Sequence, residues 1–286
     1  MPILAFAAVL LAAAAHSTWN LYAKKAALSR HFVLLCSVGS LLLYLPIVGW
    51  IVVERPPHFG PLQGLALLGT GVLHIGYSIA LQAGYRTSDL SLVYPIARGT
   101  GPLLSFIGAT VLLGERPTWL AGVGLVLIVV GILMAAGLTH EPHRAPKAGI
   151  FFGLLTGLFI AGYTVNDGWS VKSLALSPFI IDFSGALARV VVLTPLALRD
   201  RVGLVREARE YARPVWVVAV LGPIGYLLVL FAMRIAPVSH VAPARELSTL
   251  VGAYFGSRVL REQVGPARVA GALCIVVGVV SLAFAQ

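Results

Sequence analysis

Three arginines stand inside stretches that otherwise carry almost no charge. Arg98 sits in Val-Tyr-Pro-Ile-Ala-Arg-Gly-Thr-Gly-Pro, Arg189 in the apolar run 178–198, and Arg245 directly after Val-Ala-Pro-Ala. The acids in similar surroundings are Asp182 and Glu246, with Asp167 near an end of its run. A charge at the centre of a bilayer costs at least about 2.5–3.5 kcal/mol, so each guanidinium needs a carboxylate, water or a bound anion. Pairing Arg189 with Asp182 and Arg98 with Glu246 satisfies two of them and leaves positive charge over. The planar two-pronged donor of arginine suits carboxylate, phosphate or phosphonate. Arg98 and Arg245 are therefore the candidate anion binders. Glu246 and Asp182, with Arg189, are candidates for ion pairing or for carrying a coupling proton.

Other polar groups recur at helical spacing. His16, Trp19 and Asn20 fall at i, i+3 and i+4, and Tyr163, Asn166 and Asp167 repeat that spacing 147 residues later. His74 and Tyr77 share a face, Tyr94 precedes Pro95, and Tyr226 lies mid-run. His74, Tyr77, Tyr94, Tyr226, Asn20 and Asn166 are expected to shape the wall around the arginines. Trp19 and Tyr163 read equally well as aromatic-belt residues at run ends. Pro95, Pro102 and Pro243 free carbonyls close to Arg98 and Arg245, and bilayers tolerate freed carbonyls only against protein or a watery cavity.

The elements that must hold these residues are apolar runs. Hydrophobic residues make up 58 % of the 286-residue chain and charged residues 11 %, with a mean hydropathy of +0.91. So few charges cannot cover a soluble domain, where about 25 % is usual. A cytosolic globular enzyme, a disordered chain and a disulfide scaffold are thereby excluded. Ten runs of helical length follow: 3–22, 32–53, 60–84, 90–113, 118–138, 148–167, 178–198, 214–234, 238–260 and 265–285. The first lacks the basic start of a signal peptide and is expected to be retained. The pattern predicts an all-α membrane protein of ten transmembrane helices. The net charge of +10 resides in the short connections, which argues for a lipid bilayer and against a nucleic acid partner. Residues 199–213 carry five arginines and read as an interfacial amphipathic segment.

A shift of 147 superposes the halves. Arg98 falls on Arg245, Glu115 on Glu262, Lys25 on Lys172, and Ile128–Gly131 on Ile275–Gly278. Five spans is an odd number, so the second half enters the membrane from the opposite side, as in inverted-repeat secondary transporters. The expected domains are 1–138 (helices 1–5), a linker at 139–147, and 148–286 (helices 6–10). Fourteen lysines and arginines fall on one side and four on the other, which places both termini outside the cytoplasm. The pairs Gly60/Gly64, Gly153/Gly157 and Gly252/Gly256 read as close helix contacts. Cys36 and Cys274 read as small core residues.

Several chemistries have no motif here. There is no GxxxxGK[ST], HExxH, CxxC or GxSxG, and His140 and His143 in a loop make a poor metal site. No cofactor is expected, and the chain is read as a non-enzyme.

Residues 77–134 run through an Ala-Gly-Tyr-Arg turn (83–86), a proline-containing helix, Leu113-Gly-Glu-Arg-Pro117 and a glycine-rich helix. This resembles the EamA module of the drug/metabolite transporter superfamily. Residues 226–282 resemble a second copy, with Arg261-Glu262-Gln263 where the module usually has Gly-Glu. The resemblance implies ten helices in two inverted five-helix repeats, and a central cavity walled by helices 3, 4, 8 and 9. It also implies transport of amino acids, other metabolites or drugs. Tyr94–Gly99 is similar to a segment of relatives associated with phosphonate use. Two features depart from the resemblance: the basic loop lies between runs 7 and 8 rather than 2 and 3, and the second copy lacks Gly-Glu.

The reading that results is a secondary transporter of a small anionic or zwitterionic metabolite, with a possible coupled proton. An exporter of drugs or of neutral or cationic metabolites is the alternative, and a channel or an intramembrane lipid enzyme fits less well. Arg98→Ala is expected to abolish transport and leave the protein folded.

Overall fold

Runs of about twenty apolar residues form helices in a membrane because every backbone N–H and C=O must be bonded within the segment. The computed structural model describes residues 1–26, 29–54, 59–88, 90–135, 145–248 and 266–285, and these are helical apart from short connections, with no strand among them. The elements are α1 (Ile3–Lys25), α2 (Phe32–Glu54), α3 (Pro61–Thr87), α4 (Leu90–Leu112), α5 (Trp119–Ala135) and α6 (Pro146–Lys172). They continue with α7 (Pro178–Ala197), a 3-10 turn (Leu198–Asp200), α8 (Arg201–Glu210), α9 (Ala212–Ile235), α10 (Val238–Ala244) and α11 (Pro266–Phe284). Among the described residues, six helices are long and apolar enough to cross a membrane, and two shorter ones, Trp119–Met134 and Val269–Phe284, are apolar. The bundle turns apolar side chains outward along its length, among them Leu65, Leu68, Val111, Phe151 and Leu273. Such a belt suits lipid, not water.

Helix ends match the apolar runs within a few residues where both are described. Residues 139–144 of the linker, His140, His143, Glu262 and the Gly252/Gly256 pair lie outside the described residues. In the run at 238–260, α10 stops at Ala244, residues 245–246 form a turn and 247–248 are helical again, while 249–260 lie outside the described residues; the reason for the turn is taken up with the site.

Packing follows a regular scheme. α1 packs on α9 and α3 on α6; α2 lies against α9 and α3 against α7; α2 meets α7, α4 meets α10, and α5 meets α11. The closest approaches are at glycine. A Cβ on Gly124 would stand 2.7 Å from the Gly278 carbonyl oxygen, and one on Gly131 2.6 Å from that of Gly271, so α5 and α11 touch backbone to backbone. Gly153 and Gly157 bring α6 onto Ile96 and Thr100 of α4, as their spacing suggests. Gly60 and Gly64 make no such contact, because Gly64 has nothing within 4 Å and Gly60 meets only its own turn's Gln63. Spacing alone does not say which face of α3 is turned to a neighbour.

Between α4 and α5 the chain turns at Gly114, whose φ of +68° is a left-handed conformation that glycine adopts without strain. The turn aims Glu115 at the start of α10. Its carboxylate accepts from the N–H groups of Val238 (2.8 Å) and Ser239 (2.9 Å) and from Lys172 Nζ (2.9 Å) at the end of α6. At the other end of the bundle, α8 buries Gly203 and Glu207 and exposes Val202 and Val205 together with Arg201, Arg206 and Arg209. Glu207 accepts from Ser29 Oγ (2.6 Å) and His31 N–H (3.0 Å), tying the α1–α2 connection to α8. Cys36 and Cys274 are unpaired thiols.

Candidate functional site

The site forms where proline interrupts helical bonding beside arginine. Pro243 has no N–H to offer the Ser239 carbonyl. The chain then tightens: Glu246 N–H donates to the Pro243 carbonyl (2.9 Å) and Ser248 N–H to that of Arg245 (3.2 Å). Both are three-residue spacings, and α10 ends. Arg245 and Glu246 therefore occupy an opened turn, yet their side chains are buried, at 3 % and 1 % exposure. On α4, Pro102 frees the carbonyl of Arg98 in the same way, but that helix runs on unbroken to Leu112.

Arg98 and Glu246 form an ion pair at 2.8 Å. Arg98 Nη2 also donates to Ser248 Oγ (2.9 Å), and its guanidinium lies 5.8 Å from the Tyr94 ring centre. Ser17 Oγ donates to the Ser248 carbonyl (2.8 Å), which brings α1 to the same point. Arg245 is held differently. Its Nη2 reaches the Tyr163 hydroxyl at 3.4 Å, and its guanidinium sits 5.9 Å from that ring's centre. Among the described residues no carboxylate comes within ion-pair distance of Arg245. Among the described residues, two guanidinium groups and one carboxylate leave the centre positive.

Aromatic rings enclose this charge. His74 stacks on Tyr163 with centres 4.3 Å apart, Tyr226 meets His74 edge-on at 5.6 Å, and Tyr77 meets Tyr163 edge-on at 5.9 Å. His74 Nδ1 lies 2.9 Å from the Thr70 carbonyl, which can only accept, so this nitrogen carries the proton. From α1, His16 and Trp19 pack edge to face at 4.8 Å, and His16 lies within Coulomb range of both Arg98 and Arg245. Four buried nitrogens at this centre have no hydrogen-bond partner among the described residues: His16 Nδ1, Trp19 Nε1, Arg98 Nε and Arg245 Nε. Buried polar atoms are seldom left unsatisfied, and these four are donors or acceptors that a polar group could meet.

The structure thus brings Arg98, Arg245, His74, Tyr77, Tyr94, Tyr226 and Glu246 together. The remaining candidates stand elsewhere. Asn166 donates to the Ala66 carbonyl (3.0 Å) and to Thr70 Oγ1 (2.9 Å), fastening α6 to α3. Asn20 is partly exposed on α1 and enters none of these hydrogen bonds. Asp182 accepts from the Tyr44 hydroxyl. Arg189, whose Nε donates to Ser37 Oγ at 3.1 Å, lies within Coulomb range of Asp182 without pairing with it. Their direct pairing is therefore replaced by two hydrogen bonds to hydroxyls of α2.

Four residues of the centre are not among the predicted wall: His16, Trp19, Tyr163 and Ser248. The 147-residue match of His16–Asn20 with Tyr163–Asp167 is the signal that picks out the first three. Trp19 and Tyr163 belong to the cage, not to an aromatic belt. Between α4 and α6 an outward-facing groove of about 620 Å³ is lined by leucine, isoleucine and valine, with Asn166 its one amide, and so suits an acyl chain better than an anion. Among the described residues no three His, Cys, Asp or Glu side chains gather as metal ligands.

A solved crystal structure of another protein is similar to this chain in fold, with a TM-score of 0.71 and 15 % identity, covering 99 % of this chain and 97 % of its own. No curated protein matches the sequence. The model of the EamA-like transporter family matches twice, over residues 3–137 and 147–284, so nearly the whole chain is accounted for. Apolar helices, a buried polar centre and this double match give one conclusion: the chain is a multi-pass membrane protein of the EamA-like transporter family.

Proposed function

We propose that the protein is a secondary transporter that carries a small anionic or zwitterionic metabolite (an amino acid, an organic acid or a phosphonate-like compound) across the cytoplasmic membrane by alternating access. Arg245 carries the reading: a buried guanidinium whose described partners are one hydroxyl and one ring, inside a cage that also holds unsatisfied nitrogens of His16, Trp19 and Arg98. A carboxylate or phosphonate there neutralises the excess charge and accepts from those donors. Organic cations are disfavoured by the same excess.

Ten spans in two inverted five-helix repeats, 1–138 and 148–286, provide the movement. Supporting this, adding 147 carries the start of each of α1 to α5 to within four residues of the start of α6, α7, α9, α10 or α11. The same shift converts the α3–α6 pair into α9–α1 and the α3–α7 pair into α9–α2. Opposed repeats that share one site can rock about it and expose it to each side in turn.

The test is a thermal-shift screen of purified protein against amino acids, phosphonates and organic cations, followed by counterflow in proteoliposomes. A ligand of the native state raises the melting temperature. Stabilisation by anionic or zwitterionic compounds with saturable counterflow is expected. Stabilisation by cations alone, or a steady unsaturable conductance, overturns the proposal.

A further inference from the structure

Asp167 of α6 is fully buried, and none of the described lysines or arginines touches it. Its partners are neutral. Oδ1 accepts from Thr70 Oγ1 at 2.5 Å and from Asn166 Nδ2 at 3.1 Å, and Oδ2 accepts from the Tyr226 hydroxyl. A charged carboxylate without a counter-ion in hydrocarbon is costly even when hydrogen-bonded. The neighbouring hydroxyl provides for a second state. Thr70 Oγ1 has one hydrogen but two acceptors in reach, Asp167 Oδ1 and the Ala66 carbonyl at 3.1 Å. When Asp167 is charged, Thr70 donates to it. When a proton from solution binds Oδ1, the new O–H donates to Thr70 Oγ1, and the Thr70 hydrogen turns to Ala66. One proton enters, one hydroxyl rotates, and no atom is left unsatisfied.

We propose that Asp167 is the site at which a proton binds and is released in step with the carried metabolite. This rests on the transport reading above and assigns the proton to Asp167 instead of Glu246, which Arg98 neutralises, or Asp182, which stands near Arg189. The ionisable groups around Asp167 are few. Tyr226 faces it from α9, and His74 of α3 reaches it through the Thr70 backbone. Asp182 of α7 lies within Coulomb range and adds negative, not positive, charge. On α6, Lys172 is held by Glu115, and Tyr163 by Arg245 from the turn after α10. On α4, Arg98 is turned to Glu246.

Tyr226 links the two sites, since its hydroxyl holds Asp167 while its ring packs on His74 and Tyr163, the residue that contacts Arg245. A charged acceptor holds that hydroxyl about twice as strongly as a neutral one, so protonation loosens Tyr226 and with it the cage. A metabolite anion at Arg245 and a negative Asp167 repel one another. Anion and proton therefore favour each other's binding, reciprocally and by the same factor. The coupling has the sign of co-transport.

The test has two arms. In purified protein, the infrared difference between acid and alkaline pH should contain a high-frequency C=O band from a protonated carboxyl in apolar surroundings. This band is expected to vanish in Asp167→Asn and persist in Glu246→Gln and Asp182→Asn. Thr70→Val, which leaves Asp167 in place, is expected to move its pH midpoint. An unchanged band in Asp167→Asn, or no titrating band in the natural protein, overturns the proposal. In proteoliposomes containing a pH-sensitive dye, L-alanine, succinate and methylphosphonate serve as probes. Uptake with lumenal acidification is expected, and Asp167→Asn is expected to lose the acidification while still exchanging labelled probe at equal pH. Probe exchange without proton movement in the natural protein defeats the coupling and leaves the transport reading standing. Absence of any exchange defeats the transport reading and the coupling with it, and the infrared band then reports a proton site without a transport role.

Discussion

Arg98 and Arg245 occupy matching positions in the sequence but are not equivalent in the structure, and their removal should differ in kind. Arg98→Ala removes the ion pair with Glu246, and breaking a buried pair costs about 3–5 kcal/mol in comparable cases. Arg98→Ala is therefore expected to melt well below the natural protein, and Glu246→Gln in the same chain should restore part of the loss, a coupling that a double-mutant cycle measures. This revises the expectation that Arg98→Ala leaves the fold intact. Arg245→Ala strands no acid among the described residues. It is expected to melt close to the natural protein and to lose the thermal stabilisation by anionic compounds. The arginines, histidine and tyrosines of the centre were legible because a charge or an imidazole inside an apolar run has few places to go. Asp167 and Tyr163 were not, since both lie near a run end where contact with water explains them as well. Only the neighbours from α3 and α9 show that Asp167 is dry.

At the scale of elements, the predictions concern how helices are joined. Burial tends to raise the Glu115 carboxyl, but donors from Ser239, Lys172 and Val238 outweigh it and hold the group below its ordinary 4.5. A depressed value means that the charged form stabilises the fold. The contribution is complete above pH 4.5 and is lost as pH falls through the lower value of the folded state. Glu115→Gln is expected to cost about 1–3 kcal/mol at neutral pH. In thermal melts the gap between the variant and the natural protein should close on acidification. The glycines give a second contrast. Gly131→Ala drives a methyl into the Gly271 carbonyl of α11, and strain of this kind costs about 1–3 kcal/mol. Gly64→Ala meets nothing within 4 Å, and removal of a flexible residue from a helix is expected to gain about 0.5–1 kcal/mol. Melting temperatures of the two variants should move in opposite directions. Helix limits were largely legible from apolar runs and turn residues. The early end of α10 was not, because Pro243 marks a possible break without saying whether neighbours hold the helix together, as they do around Pro102 in α4.

For the whole molecule, the internal match at 147 residues is the strongest message in the sequence, and it carries the expectation of two opposed repeats. Opposed repeats of five spans require both chain ends on one side of the membrane. One contact bears on this directly: the Met1 amine donates to the Ala283 carbonyl at 2.7 Å, so the start of α1 lies beside the end of α11. The expected side follows from charge. α8 and its flanks carry Arg199, Arg201, Arg206, Arg209 and Arg213, and basic segments are retained in the cytoplasm. α8 connects α7 to α9, at the end of the bundle opposite the termini if ten spans alternate. Both termini are then expected outside the cytoplasm. Fusion of alkaline phosphatase after Gln286 is expected to give an active enzyme, and fusion of a fluorescent protein at the same place a dark one. A cysteine placed at Val202 on α8 should react with a membrane-impermeant thiol reagent only after the cells are opened. Labelling of Val202→Cys in intact cells together with a bright C-terminal fluorescent fusion would invert the molecule. Labelling on one side with termini on the same side would break the ten-span count, and with it the opposed repeats on which alternating access depends.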